Sequence, residues 1–171
     1  MSIISFDIGI HNLGYAVYDK NNDVLDFALF NINKKTVVDR TITVRNFIDS
    51  LYMKYQFDEV IIERQVVQNI VAMELMYLIS AFVSIYCENI YIIDPKQKFN
   101  ILNVIYNTKN KEHKKLSINI AHSFLQNCYP SMVDKFNSYD KKDDLSDAIL
   151  MLFTELYKND SEKLKLFTGI I

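Results

Sequence analysis

Acidic residues stand at three points of this sequence directly against strongly apolar runs. Asp7 closes the string SIISFD, Glu63 closes DEVIIE, and Asp143, Asp144 and Asp147 open the apolar segment KKDDLSDAIL. Each has an ordinary reading when taken alone. Asp7 suits a strand-end turn, and Glu63 suits a solvated strand end or an ion pair with Arg64. One of the last acids suits the positive end of a helix, as a cap or through the dipole. Together they are harder to dismiss, because an unpaired charge at the edge of a core is costly. Asp144 and Asp147 are spaced i, i+3, and Asp143 and Asp147 i, i+4, so like charges share one helical face. If strand one is central and the strand ending at Glu63 lies parallel beside it, the last helix can bring its acids over both. An all-oxygen cluster of four carboxylates suits hard divalent cations, Mg²⁺ or Mn²⁺, and two of them held about 4 Å apart are suited to phosphodiester hydrolysis.

The elements that must position these acids follow from hydrophobic spacing. Short apolar runs at 2–7, 14–19 and 24–32, separated by brief polar connections, predict three consecutive antiparallel strands. From Val44, the residues Phe47, Ile48, Leu51, Tyr52 and Tyr55 fall at helical spacing. Residues 58–63 predict a strand buried on both faces. The Met-rich stretch from Val66 to Tyr86 predicts a helix with little polar surface, a core helix or equally a helix covered by a partner subunit. Residues 90–94 predict a fifth strand, stopped by Pro95. Leu116, Ile120, Phe124 and Leu125 mark a further helix ending near Tyr129–Pro130, and a last helix spans about 143–157. The order β-β-β-α-β-α-β-α-α predicts an α/β domain, a mixed five-stranded sheet of three antiparallel strands then two parallel ones, flanked by helices.

Composition bounds the alternatives. The 171 residues are 50% hydrophobic with three Gly and two Pro, which predicts a single element-dense domain over 1–171 and excludes a repeat or disordered chain. A net charge of −2 speaks against a uniformly basic DNA binder, but the average hides a local excess. Lys96, Lys98, Lys109, Lys111, Lys114 and Lys115 against Glu112 make residues 96–116 net +5. That segment, with Lys141 and Lys142 beside the aspartates, reads as a phosphate-contacting surface as readily as a solvated loop. Cys87 and Cys128 lack metal-ligand spacing or a second pair and read as free thiols in a reducing compartment. No run reaches the ~20 apolar residues of a membrane span, and no basic leader precedes the first strand, so a non-secreted protein without membrane partners is expected. A nucleotide-binding ATPase opening on the same D-x-G hairpin would need further Gly-rich phosphate loops, and after Gly14 there is no Gly until Gly169. No nucleotide cofactor is expected.

The strings FDIGIHNLGYAV at 6–17, IIERQ at 61–65, KKLSI at 114–118 and KKDDLSDAIL at 141–150 resemble the Holliday junction resolvases of poxviruses. These lie in the RuvC branch of the RNase H-like superfamily, and the resemblance spans residues 1 to about 157. Asn12-Leu13-Gly14 is closer to the fungal mitochondrial resolvases, which normally carry an additional amino-terminal DNA-binding segment. The resemblance implies an RNase H-like fold and a homodimer. It implies Mg²⁺-dependent paired, symmetric cleavage of four-way and other branched DNA in viral recombination and concatemer resolution, in the cytoplasm of an infected cell. By motif position it implies metal-binding roles for Asp7, Glu63, Asp144 and Asp147, and a catalytic lysine at Lys115. The doubled lysine leaves Lys114 as the alternative, Lys115 being preferred as the residue directly before the helix, and Asp143 is the alternative to Asp144. Arg64 and Gln65 are candidates for DNA contact with Lys109, Lys111, Lys114, Lys141 and Lys142. Two other readings of the same carboxylates are a ribonuclease acting on RNA–DNA hybrids and a catalytically silent junction-binding protein.

Overall fold

The computed structural model of the protein describes residues 1–97 and 110–168. Strands β1 (Ser2–Ile8), β2 (Asn12–Asp19) and β3 (Val24–Asn31) form an antiparallel meander. Strands β4 (Phe57–Glu63) and β5 (Asn89–Ile93) add in parallel on the other side of β1, giving the order β3-β2-β1-β4-β5. The sequence expectation of a mixed five-stranded sheet with helices on its faces holds in both strand number and direction.

Alternation along β1 divides the core in two. Ile4, Phe6 and Ile8 pack with helices α1 (Val37–Tyr55) and α2 (Ile70–Val83). Ile3 packs with α3 (Asn110–Cys128), the short α4 (Val133–Asn137) and α5 (Lys142–Tyr157). Asp7, two residues beyond Ser5, therefore points toward the α5 side. A single 3-10 turn, Pro130–Met132, and a last helix, α6 (Ser161–Thr168), complete the described elements.

Helix α1 starts at Val37, ahead of the Val44 start expected from periodicity. Its first turns carry exposed Val37, Val38 and Ile42, which blur the apolar stripe, while Thr36 caps the helix by accepting from the Asp39 amide at 3.1 Å. Helix α2 begins only at Ile70, capped by the Asn69 side chain. Residues 64–69 are thus a connection, and the expectation of a helix from Val66 is corrected there. Helix α3 contains both Lys114 and Lys115, so the expectation that Lys115 directly precedes the helix is also corrected. Lys98 and Lys109 lie outside the described residues, as does the Lys111 side chain.

Two ion-paired clusters tie helices to the sheet and to each other. The guanidinium of buried Arg40 on α1 bonds Glu74 on α2 at 2.8 and 2.7 Å and also donates to the Lys34 and Lys35 carbonyls. Asp26 on β3 accepts from Lys135 on α4 and from Lys54 and Tyr55 at the end of α1. Among the described residues, no helix is long and apolar enough to cross a membrane.

Candidate metal centre

The parallel pairing of β1 with β4 matches Phe6 with Ile62, so Asp7 and Glu63 follow at adjacent strand ends. Helix α5 brings the third carboxylate, and two details of the sheet fix where it lies. Ser5 Oγ donates to the Ala148 carbonyl at 2.7 Å, pinning α5 to β1 in the middle of the sheet. At Gly14, the cross-strand neighbour of Asp7, a Cβ would fall 2.5 Å from the Asp144 carbonyl oxygen. Only a residue without a side chain permits α5 to approach this closely.

The result is a cluster in which Asp7, Glu63 and Asp147 each offer a carboxylate oxygen within 4.8 Å of the others. Asp7 is 8% exposed, and one Asp147 oxygen is fully buried. Three convergent carboxylate oxygens, from two neighbouring strands and a helix, are the donor set of a hard oxygen-loving cation. The residues present therefore fit a divalent ion such as Mg²⁺ or Mn²⁺.

Asp144, the fourth ligand implied by the resemblance, is not among the three carboxylates that converge. Its carboxyl is pushed up to about 6, first by burial and then by Asp143, with Asp147 adding to the effect and Lys114 and Lys141 opposing it. Asp143 behaves oppositely. Burial works against its charge, but the Lys114 ammonium bonded to it holds its carboxyl below the usual range. Lys114 in turn is raised, chiefly by that bond, and the charges of Asp144 and Asp147 add to the shift. Asp143 and Asp144 occupy the first turn of α5 without making a side-chain cap, so the dipole rather than capping is what the helix start offers them.

Both lysines are exposed, and it is Lys114 whose ammonium pairs with Asp143 beside the acids. Arg64 is exposed, and its backbone amide donates to the Ile93 carbonyl at 2.8 Å. The Gln65 side chain, a candidate for DNA contact by sequence, instead donates to Glu63 Oε2 at 3.1 Å. Lys141 is exposed and Lys142 half-buried beside the aspartates. Gly14, Ser5 and the Lys114–Asp143 pair escaped the sequence reading. Gly14 was the most findable of these, as one of three glycines in the chain and a residue inside an apolar strand.

The model of the family described as Poxvirus A22 protein matches residues 1–158. The chain belongs to that family. No curated protein matches the chain. Among solved structures, the yeast mitochondrial Holliday junction resolvase Ydc2 is similar with a TM-score of 0.69 at 15% identity, over 98% of this chain and 83% of that one. Thermus thermophilus RuvC in complex with a Holliday junction substrate has a TM-score of 0.64 at 15% identity, covering 94% and 96%. Fowlpox virus resolvase in complex with Holliday junction DNA has a TM-score of 0.60 at 21% identity, covering 90% and 97%. The A22-family chain thus has the RNase H-like fold of these neighbours.

Proposed function

We propose that this protein is a metal-dependent endonuclease that resolves four-way DNA junctions by paired nicks, acting as a homodimer. The observation that carries the reading is the Asp7–Glu63–Asp147 cluster, set on a fold whose neighbours include resolvases solved with junction DNA. One or two Mg²⁺ ions, for which Mn²⁺ would substitute, would supply Lewis-acid activation of water and stabilisation of the leaving 3′-oxygen. Asp7, Glu63 and Asp147 would hold them, with Asp144 completing the set. Lys114, drawn toward the acids by Asp143, takes the part that the resemblance gave to Lys115 and offsets negative charge on the scissile phosphate. Lys115, Lys141, Lys142 and Arg64 remain for the sugar–phosphate backbone beyond it.

An exposed apolar face on α2 and the connection before it supports the dimer. Val67, Ile70 and Tyr77 are 72%, 77% and 59% exposed and line an open groove of about 450 Å³ with Met73. Such a patch on a soluble chain marks a protein contact. Two symmetric nicks need two active sites, which a second copy of the chain provides. The free thiols of Cys87 and Cys128 suit a reducing, intracellular setting, the cytoplasm of an infected cell.

The test incubates end-labelled four-way junction, linear duplex and RNA–DNA hybrid with Mg²⁺, comparing wild type with Asp7→Asn. Paired nicks in the junction that disappear in Asp7→Asn are expected. Cleavage of the hybrid alone would make the protein a ribonuclease, and junction binding without cleavage would make it a silent binder. Sedimentation at micromolar concentration is expected to give twice the chain mass.

A further inference from the structure

The connection from Glu63 to α2 contains a half-buried polar side chain that reaches the carboxylate cluster. Gln65 is half-buried, and its Nε2 donates to Glu63 Oε2 at 3.1 Å and to the Glu63 carbonyl at 3.4 Å. Its own backbone amide points at Met76 Sδ, 3.4 Å away on the buried face of α2. The Gln65 backbone is thus anchored against α2, while its side-chain amide reaches back to the Glu63 carboxylate.

A glutamate carboxylate gains from a donor that fixes its direction. Glu63 is the last residue of its strand and its side chain has one more rotatable bond than an aspartate, so fixing its carboxylate costs more conformational entropy. A carboxylate with one oxygen engaged by an amide donor presents the other in a fixed direction. A glutamine donor also leaves the negative charge in place, which a lysine or arginine at that position would partly cancel. Carboxylates that bind metals are commonly held by a hydrogen bond of this kind, and losing it costs affinity for the metal.

We propose that Gln65 is a positioning residue that orients the Glu63 carboxylate for a divalent cation. This replaces the role in DNA contact expected from the sequence, and it rests on the proposed metal site. The fit of the site to a cation is independent of which nucleic acid is cut, so the inference is testable without substrate.

The experiment titrates Mn²⁺ into the purified full-length protein by calorimetry, without DNA, for wild type, Gln65→Ala and Gln65→Met. The methionine variant keeps the length and bulk of the side chain while removing the donor, and thermal melts in chelator report whether each variant folds. In parallel, four-way junction binding is measured by fluorescence anisotropy in chelator, where no metal contributes. Both variants are expected to weaken Mn²⁺ binding by roughly 10-fold, to change metal-free junction affinity by less than about 2-fold, and to recover nicking as Mg²⁺ is raised. Unchanged Mn²⁺ affinity in a folded Gln65→Met overturns the proposal. Weakened junction binding with Mn²⁺ affinity intact overturns it in favour of DNA contact. If wild type itself binds no Mn²⁺, the metal reading of the whole site fails, an outcome distinct from failure at Gln65 alone.

Discussion

At Asp26 the chain surrounds one half-buried carboxylate with the ammonium groups of Lys54 and Lys135 and the hydroxyl of Tyr55. At the other end of the meander it gathers Asp7, Glu63 and Asp147 and turns Lys114 toward their margin, onto Asp143. The carboxyl groups record the contrast. That of Asp26 falls to about 2, burial being outweighed by Lys135, Tyr55 and Lys54, while that of Asp144 rises to about 6. A carboxylate whose task is to join β3 to α1 and α4 brings its own cations. The proposed ion-holding cluster instead gathers carboxylates, beside which Asp144 is raised first by burial and then by neighbouring acids, and an external cation would relieve that charge.

The sharpest way to break this comparison is to neutralise one carboxylate from each region. Asp7→Asn is expected to reduce Mg²⁺-dependent junction cleavage by more than the ~100-fold upper range seen when a ligand's supporting contact is lost. In chelator the same variant should melt at or above the wild-type temperature, because one of the crowded charges has gone. A fall in metal-free stability in Asp7→Asn would show that this cluster too is a structural ion-pair network.

Gly14→Ala approaches the same region through packing. The added methyl would meet the Asp144 carbonyl at 2.5 Å, so α5 must lift from β2 and carry Asp147 away from Asp7 and Glu63. A loss of stability of about 2 kcal/mol is expected by denaturant unfolding, from overpacking at an unyielding backbone contact. A drop of about 100-fold in cleavage is expected from misplaced ligands. An active Gly14→Ala would show that the start of α5 can shift without dispersing the site.

The two regions also differ in how far the sequence reveals them. The acids Asp7, Glu63, Asp143, Asp144 and Asp147 are legible because each abuts an apolar run, and the strands carrying the first two are legible from alternation and continuous burial. The choice between neighbours is not legible, because it depends on helix phase. Lys114 faces the acids because α3 already includes both lysines, and a helix start at Leu116 gives neither residue a direction. The Asp26 cluster is invisible in the sequence, since its donors lie 28, 29 and 109 positions away, the last on the short α4, whose five residues carry no period. Ion pairs of long sequence separation are a product of the fold and leave no local signature. The apolar Val66 and Val67 misled in the other direction. They extend the pattern of α2 but are 59% and 72% exposed ahead of its Asn69 cap.

Neutralising Asp26 completes the exchange of roles. Asp26→Asn is expected to lower stability by about 2 kcal/mol at neutral pH, with cleavage within about 2-fold of wild type. A large loss of cleavage at unchanged stability would erase the distinction between the two regions.

The pH dependence follows from the same carboxyl. Its folded value of about 2 lies below the ordinary 3.8, so the folded state binds the Asp26 proton less readily than the unfolded state does. The stabilisation is complete above the unfolded value and is lost as pH falls toward the folded one. Between pH 5 and 2.5, wild type is expected to lose about 1.5 kcal/mol more than Asp26→Asn in urea unfolding. Parallel profiles for the two proteins would remove Asp26 as the source of acid sensitivity.

The smallest effect separates the two lysines at Asp26. Lys54 is 63% exposed and reaches the carboxylate at 3.2 Å from the last turn of α1, while Lys135 is 36% exposed and also lies over the Phe27 ring. A solvated ammonium contributes little, because water screens the attraction and the long side chain loses freedom when held. Lys54→Met is therefore expected to cost less than about 1 kcal/mol and Lys135→Met more, since the latter also surrenders a cation–π contact and packing between α4 and β3. The two costs should differ less in the Asp26→Asn background, where the charge that both lysines share is gone, and the Lys135→Met penalty that persists there measures packing alone. Equal costs in both backgrounds would show that Asp26 is held by Tyr55 and the sheet, and that its lysines are only solvent-facing neighbours.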